Sequence, residues 1–178
     1  MSEAEESKRE AADIDVNALM DADLEVTGAD IPEGAYPATL MGFSDAFKIP
    51  TSEKFRKPGQ PEKRTVFEAR FAVYDKQGSV QEVDYLLPIP EGGAANRKSN
   101  LYKMLRTLDP KRFTKEGAFT KGSNLKAFLG SNCVLNVKLN DKEWPQVDSI
   151  GSKIDELKYP TEKEYKPLLE KAGSDVSF

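Results

Sequence analysis

Histidine is absent, cysteine and tryptophan occur once each, and no apolar run is long enough to cross a bilayer. Without histidine there is no Ser–His or Cys–His nucleophile system, and the commonest metal ligand is missing. A lone Cys133 cannot form an intrachain disulfide, and that suits a reducing cytoplasm. Its setting in CVLNVKL predicts a small buried hydrophobe. The N-terminus, MSEAEESKREAADID, lacks the basic-then-apolar order of a signal peptide. A carboxylate-only magnesium site stays open, but no spacing argues for one. These absences predict a cytoplasmic chain without cofactor or membrane partner.

The charge that is present is unevenly spread. The whole chain carries 26 bases and 30 acids, a net of −4. Residues 1–33 hold eleven acids and two bases, a net of −9, and residues 151–178 are near neutral at −1. Residues 34–150 are left with 19 bases and 13 acids, a net of +6. A flexible acidic arm (1–33), a basic body (34–150) and a polar C-terminal tail (151–178) are the expected divisions. A basic body suits a polyanionic partner, and the acidic arm could fold back over it. The most basic stretch is KIPTSEKFRKPGQPEKR at 48–64, with six Lys or Arg against two Glu and three prolines.

Order is expected to begin at Ile31. GAYPATLMGF reads as a strand with Tyr36, Ala38 and Leu40 on one face, and Pro37 near its start. After the basic stretch, TVFEARFAVYD alternates Phe67, Ala69, Phe71 and Val73 against Val66, Glu68, Arg70 and Tyr74. Period two predicts the first set inside and the second outside. Asp75–Gly78 reads as a hairpin turn, and SVQEVDYLL returns with Val83, Tyr85 and Leu87 inward. In RKSNLYKMLRTL, Leu101, Met104, Leu105 and Leu108 form one helical stripe, capped by Asn96 or Ser99 and ended by Asp109-Pro110. SNLKAFLG predicts a second short helix, followed by the strands CVLNVKL and EWPQVDSI. The order predicts a mainly β fold, a five-stranded OB-fold-like barrel with a helical insertion between strands three and four. Other five-stranded barrels and rolls fit the same order.

In that architecture a ligand lies on strands two and three, between the loops joining strands one to two and four to five. The candidate nucleic-acid-binding residues are therefore Lys48, Lys54, Phe55, Arg56, Lys57, Lys63 and Arg64 of the first loop. Arg70 and Tyr74 of strand two join them, with Lys142 and Trp144 of the last hairpin. Cations neutralise phosphates and aromatic rings stack on unpaired bases, the equipment for single-stranded nucleic acid. Each feature also has a plainer reading. The Pro- and Lys-rich loop can be a solvated connection, and Phe43, Phe47 or Trp144 can plug the barrel. Glu68, Glu82 and Asp84 share the outer face and would repel phosphate.

The order GAYPATL, long loop, FEARFAVYD, hairpin, RKSNLYKMLRTLDP and LKAFLGSNCVLNVKL resembles the OB-fold-like single-stranded DNA-binding proteins of bacterial viruses and prophages, across roughly 34–150. The resemblance implies a non-catalytic protein that coats single-stranded DNA in viral replication, recombination and repair, in the cytoplasm of a bacterial host. It also implies a C-terminal tip, here Asp175 and Phe178, that recruits replication or recombination proteins. The near-neutral 151–178 departs from the acidic tail of that family. Exposed barrel edges admit a homodimer. The alternatives are a protein–protein module, such as a viral adaptor or an inhibitor of a host factor, and a magnesium-dependent nuclease using Glu68, Glu82 and Asp84.

Overall fold

The computed structural model describes residues 15–24, 30–51, 58–59, 63–89 and 95–172. Six antiparallel strands form one sheet: β1 (Gly34–Phe43), β2 (Phe47–Pro50), β3 (Lys63–Tyr74), β4 (Val80–Pro88), β5 (Asn132–Leu139) and β6 (Pro145–Ser152). Among the described residues three α-helices accompany them: α1 (Val16–Asp21), α2 (Asn100–Leu108) and α3 (Glu162–Ala172).

Strand β3 is the hub. Its residue Val66 pairs with Phe47 of β2 on one side and Pro88 of β4 on the other. Ala69 likewise lies between Phe43 of β1 and Tyr85 of β4. Strands β1 and β2 therefore follow one another along the same edge of β3. Beyond β1 come β5 and then β6. Strands β4 and β6 lie near each other, yet no ladder joins them among the described residues, so the sheet is curled but open. It has six strands rather than the expected five, because Phe47–Pro50 pair with Lys63–Val66. The segment FKIP has no alternation long enough to announce a strand; long-range pairing makes it one.

A bulge in β1 sets the faces. Leu40 opposes Phe71 and Gly42 opposes Arg70, so Met41 is the additional residue. Leu40 and Phe43 therefore both reach the main core, while Met41 turns to the other face. The inner face buries the alternating set of β3 completely or nearly so, together with Val83 and Leu87 of β4. Helix α2 lays Leu101, Met104, Leu105 and Leu108 onto it, as the stripe predicted. Of its two expected caps, Ser99 is used: its Oγ accepts from Tyr102 N at 3.1 Å. Cys133 is fully buried, and burial pushes its thiol up to about 12, which makes it inert at neutral pH. Ile31, just ahead of β1, sits in the core. The expected helix in SNLKAFLG is a single 3₁₀ turn, Leu125–Phe128, capped by Asn124. Its Phe128 is fully buried.

The segment read as a polar tail is largely part of the fold. Residues 151–152 complete β6, and α3 packs on the outer face against β1 and β4. Thr161 and Glu164 carry the capping-box pattern and form its glutamate half: Glu164 Oε1 accepts from Thr161 N at 3.3 Å and from Thr161 Oγ1 at 3.0 Å. Tyr165, with Leu168 and Leu169 beside it, covers Met41, Ala72 and Val80. Thr39 Oγ1 donates to Pro160 O at 2.7 Å, tying the approach to the helix onto β1.

Candidate nucleic-acid interface

The expected binding residues do not form one cluster. Lys54, Phe55, Arg56 and Lys57 lie outside the described residues, as do Asp175, Phe178 and most of the acidic arm. Lys48, Lys63 and Arg64 are exposed on the β2–β3 hairpin, where Lys48 opposes Thr65 and Ile49 opposes Arg64. Lys142 and Trp144 sit on the β5–β6 turn, and Trp144 is 68% exposed rather than plugging the sheet. Gly34 pairs with Val137, so that turn lies beyond the start of β1, whereas the β2–β3 hairpin lies beyond its end. A ten-residue strand separates the two groups, roughly 30 Å of chain. Phe43 is buried against Phe67, with ring centroids 5.8 Å apart, and Phe47 is 37% exposed.

Tyr74 faces outward as expected, but it is already engaged. Its hydroxyl donates to Glu164 Oε1 at 2.7 Å, and Lys158 Nζ lies 5.1 Å from its ring centroid. Burial, followed by the neighbouring Glu164, pushes its pKa up to about 12. The tyrosine expected to stack on a base instead holds the C-terminal helix in place. The capping box TEKE was the legible signal for that helix, overshadowed by the polarity of the segment.

On the outer face of β3 and β4, Arg70 opposes Asp84, and Glu68 and Glu82 flank the pair. Neither Arg70 Nε nor Asp84 Oδ1, both buried, has a hydrogen-bond partner among the described residues. Burial first, then the charges of Glu82 and Glu68, push the Asp84 carboxyl up to about 7, against the pull of Arg70. The folded chain therefore binds this proton more tightly than the unfolded chain does. Stability should fall as pH rises from about 4 to about 7, because ionised Asp84 is disfavoured only in the fold. Asp84→Asn removes that titration. Its melting temperature relative to the parent chain should be higher at pH 8 than at pH 5. An equal difference at both pH values would refute the assignment.

Among the described residues no group of three or more Cys, Asp or Glu is placed to hold a metal ion. No helix among them is long and apolar enough to cross a membrane.

The positive charge lies elsewhere. The connection from β4 to β5, residues 95–131, holds nine bases and two acids. It exceeds the whole surplus of the basic body, and the remainder of 34–150 is slightly acidic. Arg112 pairs with Asp109 at 3.1 Å. None of the others has a carboxylate within ion-pair distance among the described residues. Lys103 and Arg106 stand on the exposed side of α2, with Lys111, Lys115, Lys121 and Lys126 along the loop after it. A regional charge count at finer grain would have found them. The loop is braced from within by Tyr102, Phe113, Phe119 and Phe128, whose rings pack at 4.7–6.4 Å.

Two depressions open beside this connection. One, of about 450 Å³, is lined by Ala95, Arg97, Tyr102, Leu105, Phe119, Asn124, Leu125 and Phe128, among others. The second, of about 750 Å³ and mostly apolar, is lined by Met41, Phe43, Phe67, Arg70, Leu125, Lys126, Leu129 and Leu169, among others. Leu125 belongs to both. Among the described residues no carboxylate lines either one.

Comparison of the chain with protein-family profiles, curated proteins and solved structures gives no match.

Proposed function

We propose that this is a non-catalytic, sequence-tolerant single-stranded DNA-binding protein built on an OB-fold-like sheet. The strand order β4–β3–β1–β5–β6, with α2 inserted between β4 and β5, supports that fold. The observation that carries the function is the cationic connection at 95–131 on a chain of net charge −4, in which eight of the nine bases have no carboxylate within ion-pair distance among the described residues. Apart from Arg112, that charge has no ion-pair partner among the described residues, and phosphates are its natural complement. The resemblance of residues 34–150 to viral single-stranded DNA-binding proteins supports a setting in DNA replication, recombination or repair.

Fluorescence anisotropy with single-stranded DNA, duplex DNA and RNA at 50 and 200 mM salt tests the reading. Single-stranded DNA should bind most tightly. If about six phosphates are neutralised, affinity should drop about 300-fold across that salt range. Equal binding to duplex would refute the single-strand reading, and no salt-sensitive binding at all would leave a protein–protein module as the better reading.

A further inference from the structure

We propose that the bound strand runs along the α2 side of the molecule, from Arg97 and Arg106, over Leu125 and Lys126, to Arg70. The inference rests on the single-strand reading above and assigns its path. It moves the main phosphate contacts from the 48–64 stretch to the β4–β5 connection.

The first anchor is the arginine pair. A Cβ placed on Gly117 would lie 3.4 Å from Arg106 Nη1 and 3.6 Å from Arg97 Nη1. Both guanidinium groups therefore border one small volume, and neither has a carboxylate partner among the described residues. Arg106 Nη1 donates to Tyr102 Oη at 3.3 Å, which holds its fork in place, and its other N–H groups have no hydrogen-bond partner among the described residues. Paired forks of this kind match the geometry of a phosphate. The adjoining 450 Å³ depression offers aromatic and aliphatic walls, Phe119, Phe128 and Leu105, with Asn124 and Ser123 as polar groups. An unpaired base is a ligand of that character, flat and apolar on its faces with a polar edge.

The second anchor follows from continuity. Leu125 forms the ridge between the two depressions, with Lys126 beside it and Arg70 across the larger groove. The buried Nε of Arg70 has no partner among the described residues. A strand leaving the arginine pair thus meets Lys126 and then Arg70, with no carboxylate among the described residues that line the two depressions, although Asp84 opposes Arg70 on the sheet behind it. The alternative course, over the outer face of β3 and β4, meets Glu68, Glu82 and Asp84.

The test uses the full chain and a fluorescein-labelled dT oligonucleotide in a salt titration. Arg97→Gln/Arg106→Gln should bind about tenfold more weakly at low salt and lower the log–log salt slope by about 1.4, two phosphates' worth. Because Arg106 also braces Tyr102, a second variant, Arg97→Gln/Lys126→Gln, alters only exposed side chains. It should weaken binding to a similar degree with an unchanged melting temperature. Lys63→Gln/Arg64→Gln, on the β2–β3 hairpin, should stay within about twofold of the parent chain. Parent-like binding by both α2-side variants, with loss in the hairpin variant, would overturn the path and leave the single-strand reading intact. Absence of binding by the parent chain would overturn both.

Discussion

Phe71→Ala is expected to destabilise the fold by about 3–5 kcal/mol, the range for removing a buried aromatic ring from a core that cannot collapse. Phe71 is fully buried. It lies on the hub strand, opposite Leu40 of β1 and Val83 of β4, so both neighbours lose a packing surface at once. A domain of this size has only about 5–15 kcal/mol in hand. The loss should appear in equilibrium urea unfolding as a lower midpoint with little change in slope. A change below about 1 kcal/mol would mean that the site repacks and that the rigid-hub account of β3 is wrong.

Gly117→Ala should cost about 2–5 kcal/mol, much more than Gly78→Ala. Both glycines have left-handed φ, 82° in each case. That conformation alone costs an alanine roughly 1–2 kcal/mol. At Gly78 nothing lies within 4 Å of the added Cβ, so the cost should stop there. At Gly117 the Cβ would sit 2.6 Å from Tyr102 Oη, and that hydroxyl donates to Gly117 O at 2.6 Å. The substitution must push the ring away and leave a buried polar group unpaired, which adds about 1–3 kcal/mol. Thermal unfolding of the two variants side by side reads the difference. Equal shifts would show that the Tyr102 contact is slack. The same displacement would disturb Arg106, so Gly117→Ala should also weaken oligonucleotide binding, whereas Gly78→Ala should not.

Much of the fold was legible because its signals are local. The alternation Phe67, Ala69, Phe71, Val73 is that of a half-buried strand, and all four face the main core. The stripe Leu101, Met104, Leu105, Leu108 is that of a helix with one covered side, and α2 buries it. The candidate site was less legible. Lys48, Lys63 and Arg64 are exposed as their chemistry suggests, but so are most lysines and arginines. Tyr74 and Arg70 were placed on the correct face by period two. What else shares that face is a question of long-range packing, and α3 claims Tyr74. The bland composition of 151–178 concealed both the capping box at Thr161 and the sheet-covering set Tyr165, Leu168 and Leu169.

By itself the sequence determined five of the six strands, the apolar stripe of α2, the inward set Phe67, Ala69, Phe71 and Val73, the absence of histidine chemistry and the positive charge of the middle of the chain. Each of these depends on residue type or on spacing over a few positions. Val66, placed in the outward set, is buried. Only the tertiary structure decided which exposed groups meet. Strand register set Trp144 and Lys63 at opposite ends of β1. The turn at Gly117 brought Arg97 and Arg106 to one small volume. Leu125 joined the two depressions that flank the 3₁₀ turn. Register, turns and docking bring together residues far apart along the chain, and no local period encodes that meeting.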